Sequence, residues 1–193
     1  MNLRETLLTA SVAVLLHICL PNPAAAQTDN RNIQSGPDVE IVLQLLTGDE
    51  ANPKGNLPKE LAPVAAKLRS NFPFASFRLI ETFFGRIGEN GNLQYKSIFD
   101  VNSGASPGAP TFLDWSINAL RPEGTLPAYR IHSFRFGIRT PIVLPNVSNY
   151  EHVGITIDRL SVSANTPVLL GSISLPKANG TVFVVLTVKP EKF

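Results

Sequence analysis

Hydrophobic and polar positions alternate along most of this chain, and the phase of the alternation predicts its elements. Over 39–46, Val39, Ile41, Leu43 and Leu45 fall on one face at period two, while Glu40 and Gln44 fall on the other. That is the pattern of a half-buried strand, although a short helix of the same length also fits. Leu61, Val64, Ala65, Leu68 and Phe72 recur instead at helical spacing and predict a helix over 58–72. Pro63 must lie in its first turn or bend it, Lys67 and Arg69 suit its C-terminal end, and Pro73 helps to stop it. From Phe74 to Ile87 the chain is apolar and rich in Phe. Gly88-Glu89-Asn90-Gly91-Asn92 is a turn signal, and Leu93 to Val101 reads as the return strand of a hairpin. Strand, helix and hairpin make a small α+β unit, 39–101.

Asn102 to Pro110 is rich in Ser, Gly, Ala and Pro and reads as a linker. Beyond it, 111–193 reads as an antiparallel β region. The apolar runs are 111–120, 129–140, 152–163, 168–175 and 181–189, separated by Pro-, Gly- and Asn-bearing breaks. The break after Thr140 runs from Pro141 to Asn149. Strands at this spacing suggest a sandwich-like sheet pair or an open barrel. The fold class expected is therefore α+β, with the small unit followed by the β region.

The first 26 residues follow another pattern. Arg4 precedes an apolar run from Leu7 to Leu20, Pro21-Asn22-Pro23 breaks it, and Ala24-Ala25-Ala26 follows. This is the order of a secretory signal peptide over 1–26, with the cut after Ala26, and 27–38 reads as a flexible leader. The run is shorter than the roughly 20 residues a spanning helix needs. Cys19 does not fit a lipidation signal, because Ile18 stands where a small residue is required. The Ala-rich cleavage region points to a bacterial source. The expected location is outside the cytoplasm, periplasmic or extracellular.

Composition narrows the partners. The chain has 17 Lys and Arg, 15 Asp and Glu and a net charge of +2, interspersed along its length. That gives no electrostatic case for nucleic acid. Charged residues make up 17%, below the usual share of about 25%, which suggests buried sheet faces or a surface that a partner covers. The single cysteine is Cys19, so 27–193 cannot be held by disulfides and must fold on apolar burial. No second long apolar run predicts a membrane span once the leader is removed.

Catalytic chemistry is thin. His132 shares a period-two face with Phe134, Phe136 and Ile138, and reads as a core or edge residue; Arg135 and Arg139 share the other face. His152 reads as exposed. The metal-ligand spacings and a phosphate-cradling glycine loop are not found. Asp100, Asp114, Glu123, Glu151 and Asp158 could supply a carboxylate pair only if the fold brought two together. No catalytic residue, metal ligand or cofactor is expected. Arg130, Arg135, Arg139 and Arg159 form a basic strip if their strands are adjacent, as a surface for an acidic partner or headgroups, or as solvated charges that guard the sheet against aggregation.

Two stretches carry a resemblance. Leu160-Ser161-Val162-Ser163-Ala164-Asn165-Thr166-Pro167-Val168-Leu169-Leu170-Gly171-Ser172 and Val182-Phe183-Val184-Val185-Leu186-Thr187-Val188-Lys189-Pro190 together resemble the last strands of the secretin family, the outer-membrane pores of bacterial secretion and pilus systems. The strand 39–46, helix 58–72 and hairpin 74–101 are similar to the small periplasmic α+β module of secretins. The family's lip segment is reduced here to residues 174–180. The resemblance implies a truncated relative or accessory that pairs strands with a partner and has no channel of its own. The function expected is a non-enzymatic binding or assembly module of the cell envelope, acting through a sheet edge or a Phe-bearing surface around Phe74 to Phe84. Its rivals are a periplasmic hydrolase with acids from the β-region loops and an apolar-ligand carrier. The oligomeric state is left open.

Overall fold

The computed structural model describes residues 38–49, 57–98, 110–124, 127–144, 147–175 and 181–190. All of them fall within one unit of the chain, Ser35–Phe193. The expected signal peptide, nearly all of the leader 27–38 and of the linker 102–110, and Asp100 lie outside the described residues.

Among the described residues, eight strands and one helix form: β1 (Val39–Asp49), α1 (Ala62–Asn71, entered by a 3-10 turn at Lys59–Leu61), β2 (Ser76–Ile87), β3 (Asn92–Ile98), β4 (Phe112–Pro122), β5 (Ala128–Leu144), β6 (Val147–Ser163), β7 (Val168–Ser174) and β8 (Thr181–Pro190). They build two antiparallel four-stranded sheets, ordered β2-β1-β8-β7 and β3-β4-β5-β6. The architecture is β-rich α+β, and the sheets do not close into a barrel.

The expected hairpin 74–101 does not form. β2 pairs with β1, and β3 pairs with β4. The cause lies in the turn between them, whose backbone groups are taken by β4: Asn90 N–H donates to Leu120 O at 2.8 Å, and Gly91 O accepts from Ala119 N–H at 3.0 Å. The turn therefore carries the chain from one sheet to the other. Pairing also crosses the expected boundary at 102–110, because β1 sits between β2 and β8.

The alternation of apolar side chains explains the layers. From β1, Val39, Ile41, Leu43 and Leu45 face the second sheet, as do Val182, Val184, Leu186 and Val188 from β8. They meet Leu113, Trp115, Ile117, Phe134, Phe136 and Ile138 in one core. The other face of the first sheet presents Leu46, Phe77, Phe183 and Val185, which pack with Leu61, Val64 and Leu68 of the helical segment. β8 is thus covered on both sides, and its unbroken apolar run follows. Phe183 is wedged among Phe72, Phe74 and Phe77 at ring distances of 4.8, 5.9 and 5.6 Å. Of the apolar stretch around Phe74 to Phe84, Phe77 and Phe83 are core and Phe84 is exposed.

The expected break at 141–149 is partly strand. β5 and β6 continue past the end of β4 as a two-stranded extension, pairing Pro141 with Tyr150 and Leu144 with Val147. The last β5 residue with a β4 partner is Arg139, opposite Phe112. Among the described residues, Pro141 therefore falls where β5 has a neighbour on one side only, which a strand proline tolerates.

Candidate functional site

The outward face of the second sheet is made of cross-strand rows. Strand register sets Ile98, Phe112, Arg139 and His152 abreast, then Lys96, Asp114, Gly137 and Gly154, then Gln94, Ser116, Arg135 and Thr156, then Asn92, Asn118, Ser133 and Asp158. Gly137 leaves room for the His152 ring, since a Cβ there would overlap it.

After the fourth row the sheet creases. Inward residues normally recur every second position. Here the spacing becomes three in adjacent strands: Ile117 to Leu120, Ile131 to Phe134 and Ile157 to Leu160 all turn toward the core. Register is kept across the break, with Leu120 opposite Ile131 and Ile131 opposite Leu160. The pleat therefore reverses phase in three strands at once. Ala119 and Arg159 absorb the reversal with left-handed backbone, at φ 50° and 58°.

The crease corrects the sequence reading of His132. Period two placed it with Phe134, Phe136 and Ile138, but those three are buried and His132 is exposed. Two consecutive β5 residues, His132 and Ser133, line the outward side, and both face one pocket of about 340 Å³. Asn92, Gln94, Ser116, Ile117, Asn118, Arg135 and Asp158 complete it, so all four strands contribute. Ile117 is fully buried. Ser133 Oγ is shielded from solvent and has no protein partner. Sequence reasoning missed Ser133 and the amide side chains, and it named Asp158 only as one of five scattered acids. The signal was present as apolar positions three apart within period-two strands.

The four arginines of the expected strip are all exposed, on the adjacent strands β5 and β6. Arg130 forms an ion pair with Glu123. A hydrogen bond from Ser161 holds the Glu123 carboxyl below the usual carboxylate range against the opposing effect of desolvation, and the Arg130 guanidinium adds to the lowering. Arg139 reaches Asp114 at 3.9 Å and lies over the Phe112 ring at 5.4 Å. Arg135 belongs to the pocket, and Arg159 stands at the crease.

The acids among the described residues do not converge. Of Asp114, Glu123, Glu151 and Asp158, the pocket holds Asp158 alone. A carboxylate pair for glycoside chemistry needs two. His132, Ser133 and Asp158 do share the pocket, but no hydrogen bond joins them. Among the described residues, no group of three potential metal ligands occurs and no helix is long and apolar enough to cross a membrane.

No protein-family model matches the sequence, and no curated protein matches it. Among solved structures, the chain is similar to the Salmonella SPI-1 type III secretion injectisome secretin InvG (residues 176 to the end, open gate state), at 10% sequence identity and a TM-score of 0.37, over 100% of this chain and 67% of that one.

Proposed function

We propose that the chain is an exported, non-enzymatic assembly module of the bacterial cell envelope, and that it binds an envelope protein by strand addition along the free edge of β6. The observation that carries this is the contrast among the four sheet edges. β3 and β7 are seven residues each, and β7 also has a register break at Leu169/Gly171. β2 faces a register break at Leu45/Leu46. Among the described residues, β6 runs for 17 residues, pairs with β5 alone and keeps one register on both sides of the crease at Arg159. Short strands or shifted registers blunt an edge, whereas a long strand in one register is a template for another strand. Arg135, Arg139 and Arg159 beside that edge, with Arg130 further along, would favour an acidic segment. The secretion-system part of the reading rests on the sequence resemblance at 160–172 and 182–190.

The test exploits the lack of cysteine in 27–193. Single cysteines replace Thr156 on β6 and, as a control, Lys96 on β3, and each carries a photo-crosslinker in cells. A discrete adduct with an envelope protein from position 156 and none from 96 is the expected outcome. Equal labelling from both positions, or none from either, overturns the proposal.

A further inference from the structure

We infer that the pocket at the crease is a binding site for a small zwitterion, a free α-amino acid or a dipeptide. This stands apart from the strand-addition proposal, because it uses the face of the sheet and not its edge. Three observations carry it.

The first is a pair of opposite charges held apart. Arg135 lies opposite Thr156 on β6, and Asp158 is two residues further along the same strand. Such diagonal neighbours sit about 7–8 Å apart and are within reach of long side chains. Arg135 and Asp158 nonetheless make no ion pair with each other or with any described residue. Both line the same void.

The second is the balance of the lining. An anion such as phosphate would suit Arg135 but would be set against Asp158. A simple cation would meet the reverse conflict. A neutral sugar would leave both charges without a counter-ion, and the lining offers the His132 imidazole but no Phe, Tyr or Trp ring for a sugar face. A zwitterion satisfies both, with its carboxylate on the Arg135 guanidinium, which can take it through two parallel hydrogen bonds, and its ammonium on Asp158.

The third is the supply of neutral hydrogen-bonding groups. Asn92, Gln94 and Asn118 present amides, and Ser116 and Ser133 present hydroxyls. Ser133 Oγ is shielded and unpartnered, and a buried polar atom in that state is matched by a ligand group more economically than by none. The volume of about 340 Å³ lies near the lower end of the range of roughly 300–1,000 Å³ for small-molecule pockets. It suits one or two amino-acid units and excludes a longer peptide lying wholly inside. Consecutive inward positions three residues apart create this pocket, so it belongs to the sheet itself and not to mobile loops.

The experiment is calorimetric titration of residues 27–193 with alanine, glycylglycine, N-acetyl-glycylglycine, glucose and inorganic phosphate. Saturable one-to-one binding of glycylglycine or alanine is expected, with acetylation of the amine weakening the peptide by about tenfold or more. Arg135→Gln should weaken glycylglycine by a similar factor. Asp158→Asn should erase the difference between the free and acetylated peptides. Lys96→Gln, outside the lining, should change nothing, and circular dichroism confirms that each variant is folded. Acetylated peptide binding as well as free peptide overturns the proposal, as does preferential binding of glucose or phosphate. No saturable heat from either zwitterion up to about 10 mM would also overturn it.

Discussion

Ala119 has a backbone that its side chain resists. Its φ of 50° lies in the left-handed region, which costs an L-residue roughly 1–2 kcal/mol. The conformation persists because its amide is held from two directions, by Gly91 O at 3.0 Å and by Asn92 Oδ1 at 3.3 Å. In an ordinary strand position valine is favoured over alanine, on a scale spanning about 1 kcal/mol. At Ala119 the sign reverses, because a β-branched side chain is the worst fit to positive φ. Ala119→Val is expected to lower stability by about 1–2 kcal/mol in urea denaturation, whereas Ala119→Gly should stay within about 1 kcal/mol of the parent. A raised urea midpoint for the valine variant would show that the crease does not depend on left-handed backbone. The same reversal explains why His132 was misread: its neighbours obey period two only on one side of it.

At the scale of elements, α1 owes its existence to packing. It is ten residues long, its N-cap Leu61 makes no side-chain capping bond, and its first turn contains no acidic residue. A helix this short is marginal alone in water. Leu61, Val64 and Leu68 are buried against Phe77, Phe183 and Val185. Leu68→Ala is therefore expected to cost about 2–5 kcal/mol, with loss of helical signal before the sheets melt in a thermal scan followed by hydrogen exchange. A loss well under about 1 kcal/mol would mean that the helix is held by something other than this cluster. The apolar stripe that predicts this helix was legible in the sequence, and so were β1 and the five C-terminal strands, because each repeats a period over several residues. Partners were not legible. The turn 88–92 has the composition of a hairpin, yet Asn90 and Gly91 bond to Leu120 and Ala119 of β4, 30 and 28 positions away (120 − 90 and 119 − 91), which local composition does not encode. The pocket was hidden for the same reason: it gathers side chains from four strands whose order follows from pairing alone.

For the whole molecule, the decisive fact is where β8 sits. The last strand lies between β1 and β7, in register with β1 from Val39–Pro190 to Thr47–Val182. Its even positions complete the core between the sheets, and its odd positions form the floor under α1. Without it, β1 would have an open edge, and Leu46, Leu68 and Phe77 would lose Phe183 as a partner. The segment 39–101 thus carries one strand, the helix and two strands that do not pair with each other. A fragment of residues 35–101 is expected to show no cooperative unfolding transition and little amide protection, while residues 35–193 should show both. The reason is energetic as well as topological, since a chain of that length buries too little surface to stand without its main packing partner. Adding a synthetic peptide of residues 181–190 in trans should restore partial protection in β1 if pairing is the missing element. A 35–101 fragment that unfolds cooperatively by itself would mean that the first sheet closes on its own residues, and that β8 joins a unit already formed.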